Sequence, residues 1–350
     1  MDQNVLIFFI GSYTEMLAPD FGGSGEGIYT IALNSDSGEI TCLHSLFAIN
    51  PSYLALSEDG EFLYCNTEVS RENSPKVQSY RFRADFSLEF INEQDIKGGF
   101  PCHIEKLDDS VLVSCYETGN VLQFPLDSNG SLMECAKNYQ HSGSSMNKAR
   151  QEGPHAHQSV AHPNGKEVYV ADLGIDLLKA YSLHAHEFSE NQEKDIVIEP
   201  GSGPRHIVFN KGGDLGYIIN ELTGEMMVME PKGDSFKVTA SYNSLPPGYE
   251  GTPSSSAIRI HPNGKYVYAA NRGANAITIF KINEEKLEIL DYQFTKGIEL
   301  REFNISPDGK WLIACHQNSH DIVVYQIEPD GKLMEKYRTK EIKSPVCVAF

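Results

Sequence analysis

The chain is 350 residues long, with 48 Asp+Glu against 29 Lys+Arg and a formal net charge of -19. That balance argues against nucleic acid and anionic membrane as partners, since both require a basic footprint. Seven cysteines (Cys42, Cys65, Cys102, Cys115, Cys135, Cys315 and Cys347) come in odd number without a C-x-x-C spacing, which points to reduced thiols in a cytoplasmic protein and away from a disulfide frame or zinc site.

Val5 to Gly11 is apolar but too short to cross a bilayer, and Asp2, with no Lys or Arg before the run, argues against a secretory leader. The run reads as a strand, and Gly27 to Leu33 as a second one. A phrase then begins that recurs along the chain: an inner strand, a tight turn and a returning apolar strand. It starts at Asn50, again at Gly153 with the turn Pro163-Asn164-Gly165, at Ser256 with Pro262-Asn263-Gly264, and at Arg301 with Pro307-Asp308-Gly309. Fainter copies start at Phe100 and Gly203. A third strand follows each copy, over Val77–Phe82, Val121–Leu126, Leu178–Leu183, Ala276–Ile282 and Ile322–Ile327, with Met226–Met229 the weakest. No long amphipathic helix interrupts them.

Four short strands recurring roughly every 45 to 55 residues are the mark of a β-propeller, whose four-stranded sheets bury both faces only by stacking on neighbours. The two ends count the blades. The N-terminus opens on a second-type strand with no inner strand before it, and Pro345 to Phe350 is an inner-type strand with nothing after it. Pairing them completes a composite blade beside six whole ones and removes an exposed sheet edge. The expectation is an all-β, single-domain, seven-bladed propeller over residues 1–350, closed by the C-terminal strand on the N-terminal blade.

The long irregular segments Thr14–Glu26 and Val69–Lys76 leave second strands, while Gln140–Gly153 and Asn243–Pro253 enter inner strands. Propeller geometry puts all four at one rim, which marks it as the working face. Around the channel mouth there, starts of inner strands supply Tyr53, His103, His155, His157, Arg205, His206, Ile258, Arg259 and Arg301. Ends of second strands supply Tyr13, Tyr116, Asp172, Glu221, Arg272, His316 and Gln317. His157, six positions before Pro163, sits deeper in its strand than His155. Glu221 follows an apolar Tyr217-Ile218-Ile219 run, so its carboxylate is expected to be partly desolvated and readier to hold a proton; an ion pair with Arg205 or Arg272 is the structural alternative. His162, His184 and His261 read as turn or strand hydrogen-bonders, and Asp172 and Asp176 as braces of a blade loop. Glu221, Asp172 and Asn271 offer oxygen ligands, but arginines stand among them, so neither a metal nor another cofactor is expected.

Several of these motifs carry a resemblance. Gly153-Pro154-His155-Ala156-His157 with His162-Pro163-Asn164-Gly165-Lys166, Gly203-Pro204-Arg205-His206 with Asn220-Glu221-Leu222, Asn271-Arg272, and Arg301-Glu302-Phe303-Asn304 resemble the seven-bladed propeller lactonase family. Bacterial 6-phosphogluconolactonases and the fungal 3-carboxy-cis,cis-muconate lactonizing enzyme belong to it, and the likeness runs over the whole chain. The resemblance implies His157, Arg205 and Glu221 as the catalytic set. It implies hydrolysis of 6-phospho-D-glucono-1,5-lactone, a small anionic sugar lactone, with no cofactor. His157 or Glu221 would then be the base, Arg205 the oxyanion partner, and Arg272 and Arg301 the phosphate ligands. His155, His103, His316, Gln317, Tyr116 and Tyr13 would complete the substrate pocket. Two other readings stay open: a lactonizing isomerase acting on a carboxymuconate, and a non-catalytic propeller presenting its face to a protein.

Overall fold

In the computed structural model, which describes residues 4–19, 21–184, 187–284 and 286–350, each repeated phrase forms the inner half of a four-stranded antiparallel sheet. Asp2 lies outside the described residues. Locally, the phrase is set by its turn. In blade four the Gly165 N–H donates to the His162 carbonyl at 2.9 Å, and the Asn164 side chain accepts from the Lys166 N–H at 2.8 Å. Gly165 sits at φ 68°, a left-handed conformation that costs glycine least. Blade six repeats the pattern at Asn263 and Gly264. His162 and His261 use their turns to reach the next blade, each bonding at 2.8 Å to a turn carbonyl there, Gly213 and Gly309 respectively.

The inner strands are Pro345–Ala349 in blade one, then Leu54–Leu56, Pro101–Lys106, Ala156–Ala161, Pro204–Phe209, Ser255–Ile260 and Leu300–Ile305 in blades two to seven. Blade one is the composite sheet: Pro345–Ala349 pairs antiparallel with Val5–Ser12, Phe9 facing Ala349 and Gly11 facing Cys347. The weakest strand in the sequence, around Met226, runs over Glu225–Lys232 and pairs on both sides. Two details lay beyond the repeat pattern: a small hairpin, Met16–Ala18 with Phe21–Gly22, inside the first long loop, and a short strand Ile196–Val197 added to blade four.

Period-two alternation explains how the blades cohere. In Trp311–His316, the side chains of Trp311, Ile313 and Cys315 pack on Phe8, Ile10 and Ile31 of blade one, while Leu312 and Ala314 pack on blade six. Both faces are therefore dry, and the strand is a continuous apolar run. The described residues form seven such clusters, one at each junction between neighbouring blades. An open array of seven sheets would have only six junctions, so the seventh, Trp311 and its neighbours against Phe8 and Ile10, is the closure itself. Each large side chain buried there contributes about 1.5–3 kcal/mol.

One irregularity in this ladder places the chemistry. Pairing of inner and second strands shifts register between Pro101 and His103, Ala156 and Gln158, Pro204 and His206, and Leu300 and Glu302. The unpaired residues at those bulges are Cys102, His157, Arg205 and Arg301. A bulge re-aims its side chain, and here the structurally equivalent position of blades four, five and seven delivers an imidazole and two guanidiniums to the axial channel.

Candidate active site

Glu221 stands at the centre of the channel mouth, 5% exposed, just past the second strand of blade five. Three guanidiniums surround it. Arg272 Nη2 lies 2.8 Å from Oε2, Arg150 Nη2 2.5 Å from Oε1, and Arg205 Nε 3.2 Å from Oε2. Burial alone would raise the carboxyl's pKa, but Arg272, Arg150 and Arg205 outweigh it and hold the group ionised, well below the ordinary carboxylate range. This corrects the expectation of a proton-holding Glu221: the apolar run before it does desolvate the carboxylate, yet the cations decide its state.

Arg205 is buried and also donates to the Ser256 carbonyl. Its Nε–H is close to Glu221 in distance but lacks hydrogen-bond alignment with any described acceptor. Burial, then Arg272 and Arg301, push its pKa down to about 10, which leaves it charged at neutral pH. Arg272 is fixed by the Ser254 and Ser255 carbonyls and by Glu299 at 3.5 Å.

His157 is buried beside Cys102, whose Sγ lies 3.9 Å from Nδ1, and its ring meets Tyr116 and His206 edge to face at 5.8 and 5.4 Å between centroids. Burial, reinforced by Arg205, depresses its pKa well below the usual histidine value, so the imidazole is neutral. With the proton on Nδ1, the Nε2 lone pair is free to accept another. His155 stacks on Tyr116 at 4.4 Å, hydrogen-bonds the Tyr116 carbonyl through Nδ1 and faces Glu152 through Nε2. The Tyr116 hydroxyl accepts from Arg150 at 3.1 Å.

The opposite wall is built on Arg301. Its Nη2 donates to the Tyr13 hydroxyl at 3.1 Å, Tyr13 donates to Glu68 at 2.8 Å, and the guanidinium lies over the Tyr13 and Phe21 rings. Four guanidiniums (Arg150, Arg205, Arg272, Arg301) thus meet Glu68, Glu221 and Glu299, a cluster of arginines in an otherwise acidic protein. Below the bulges the channel narrows to a void of about 10 Å³ bordered by Ser52, Cys102, Arg205 and Arg301, room for about one water.

The remaining candidates fall away from this cluster. His103 lies lower in the channel, its ring 4.1 Å from Tyr53 and 6.0 Å from His206. Gln317 donates through Nε2 to the Gly22 carbonyl at 3.0 Å, tethering the first long loop, while its buried Oε1 meets no donor among the described residues. His316 is fully buried inside blade seven, where Nε2 meets Thr295 Oγ1 at 2.7 Å and Nδ1 the Asp321 carbonyl at 3.2 Å. It braces that blade and does not face the mouth, contrary to its expected place in the pocket. Asp172 accepts from the His155 and Gly174 N–H groups and pairs with His141 at 2.6 Å, and Asp176 accepts from Gln151, Gly201 and Gly203, so both tie loops in place. Arg150 and Glu68 were missed. Neither sits in the repeated phrase; only the position of Arg150 in a working-face loop hinted at it.

A ring of blades closed in this way, with a histidine, arginines and a glutamate gathered over its axis, defines a propeller hydrolase scaffold. The profile of the family described as "Lactonase, 7-bladed beta-propeller" matches residues 7–350, and the chain belongs to that family. A 6-phosphogluconolactonase of Formosa agariphila is 32% identical, with 93% of this chain and 94% of that protein aligned. A 6-phosphogluconolactonase of Bacillus subtilis is 29% identical over 98% of each. Among solved structures, a periplasmic gluconolactonase of Pseudomonas aeruginosa superimposes with a TM-score of 0.91 at 25% identity, covering 99% of both chains.

Proposed function

We propose that the protein hydrolyses 6-phospho-D-glucono-1,5-lactone to 6-phosphogluconate, as a cytoplasmic step of the pentose phosphate pathway. The observation that carries the reading is the pairing of a neutral, buried His157 with an arginine cluster that Glu221 holds rigid. Two relatives that span nearly the whole chain bear that activity as their name, and seven free cysteines suit a reducing compartment.

In this mechanism the lactone enters at the working face. Water attacks the carbonyl carbon while His157 accepts its proton, a contribution of about 10²- to 10⁴-fold. Negative charge grows on the carbonyl oxygen, and the positive field of the buried, charged Arg205 guanidinium stabilises it. His157 returns the proton to the departing ring oxygen as the C–O bond breaks. Glu221 takes no proton; three cations make it too weak a base, and its role is to fix the guanidiniums. The test is turnover of the phosphorylated lactone by wild type and by His157→Ala with folding verified. Loss of at least about 10²-fold is expected, and an unchanged rate would remove His157 from the mechanism. Turnover of a carboxymuconate in place of the lactone would establish the isomerase reading.

A further inference from the structure

Of the four guanidiniums at the mouth, three are committed. The side chains of Arg205, Arg272 and Arg301 are 4%, 9% and 14% exposed, and each is held by carbonyls, carboxylates or aromatic rings. Arg150 differs: its side chain is 42% exposed. Its Nη2 makes both of its bonds, to Glu221 and Tyr116, and among the described residues no acceptor meets its Nε or Nη1. The backbone beneath it is nevertheless fixed. The neighbouring Gln151 is fully buried, donates to the Leu173 carbonyl at 2.9 Å and Asp176 at 2.8 Å, and accepts the Asn147 N–H. An arginine on a rigid base, charged, outward-facing and with donors to spare, has the form of an anion clamp.

We propose that Arg150 is the specificity-determining residue that binds the substrate's phosphate, its unpaired Nη1 donating to a phosphate oxygen while Nη2 stays on Glu221. This rests on the hydrolase reading above and changes the expected phosphate ligands, since Arg272 and Arg301 are spent within the protein. The layout suits the ligand. In a 6-phosphorylated 1,5-lactone the carbonyl carbon and the carbon bearing the phosphorylated arm flank the ring oxygen, so the phosphate extends outward beside the carbonyl, and Arg150 is partly exposed at the rim while His157 and Arg205 are buried next to it. Because Arg150 also touches Glu221, phosphate binding there reports directly on the cluster that faces the carbonyl.

The experiment compares wild type, Arg150→Met and Arg150→Lys on 6-phosphoglucono-1,5-lactone and on unphosphorylated glucono-1,5-lactone, with calorimetric binding of 6-phosphogluconate alongside. Arg150→Met is expected to lower the preference for the phosphorylated lactone by about 10- to 100-fold, as loss of a charged hydrogen-bonding pair does, mostly through KM. Binding of 6-phosphogluconate should weaken by a similar factor, and Arg150→Lys should restore part of both, keeping the charge but not the planar guanidinium. Equal losses on the two lactones, or an unchanged Kd for 6-phosphogluconate, would overturn the assignment. A wild type that hydrolyses neither lactone yet binds 6-phosphogluconate through Arg150 would uphold the clamp and defeat the hydrolase reading. Hydrolysis whose phosphate preference ignores Arg150 would do the reverse, and a wild type showing neither would end both.

Discussion

Replacing Glu221 with Gln removes the charge that three guanidiniums share while leaving their volume nearly unchanged. With nitrogens 2.5, 2.8 and 3.2 Å from the carboxylate, charge centres about 4 Å apart interact by about 4 kcal/mol each at an effective dielectric near 20. Desolvation of the ions opposes most of that sum, and breaking a buried cluster by removing one partner costs about 3–5 kcal/mol. Glu221→Gln should therefore unfold at lower urea, by an amount in that range. The uncompensated arginines should also become an anion site. Sulfate at about ten times its Kd should return about 1.4 kcal/mol to the variant and little to wild type. The pH dependence has a definite sign. Because the folded pKa of Glu221 is depressed, its stabilisation is complete above the unfolded value near 4.5 and is lost as pH falls below it; the variant should lack that acid-side loss. A Glu221→Gln protein within about 0.5 kcal/mol of wild type and indifferent to sulfate would refute the view that this carboxylate organises the arginines.

Two further outcomes can be measured. With the His157 pKa far below 6.5, the base is already unprotonated at neutral pH, so kcat/KM should stay flat from about pH 6 to 8; an inflection near 6.5 that vanishes in His157→Gln would show an ordinary imidazole instead. At the far mouth of the channel, burial raises the Glu105 pKa to about 7 despite a hydrogen bond from the Ala161 N–H at 2.8 Å. A raised carboxyl pKa means that ionisation destabilises the fold as pH climbs from 4.5 through 7, so Glu105→Gln should stabilise the protein by up to about 3 kcal/mol at pH 8. The gain should disappear at pH 4, and equal urea midpoints at pH 8 would contradict the desolvation of that partly buried carboxyl.

The architecture was legible in the chain because it is local and repeated. The Pro-Asn-Gly turns at 163 and 262, the alternation in the strands and the mismatched ends, an orphan second strand at Val5 and an orphan inner strand at Pro345, specify blade number and closure without reference to distant contacts. His157 and Arg205 were marked by the family resemblance of their motifs, and the structure shows them at equivalent register shifts of their blades.

What the sequence could not decide is what those side chains meet. The protonation state of Glu221 depends on Arg150 and Arg272, 71 residues before it and 51 after it; His316 shares the end of a second strand with residues that face the mouth, yet Thr295 and the Asp321 carbonyl draw it into the blade. Ion pairing and pKa follow distances of a few ångströms between chain segments that only ring closure brings together. Composition and repeat therefore determined the propeller and its working face, while the three-dimensional packing alone determined which charges are spent on one another and which, at Arg150, is left for a ligand.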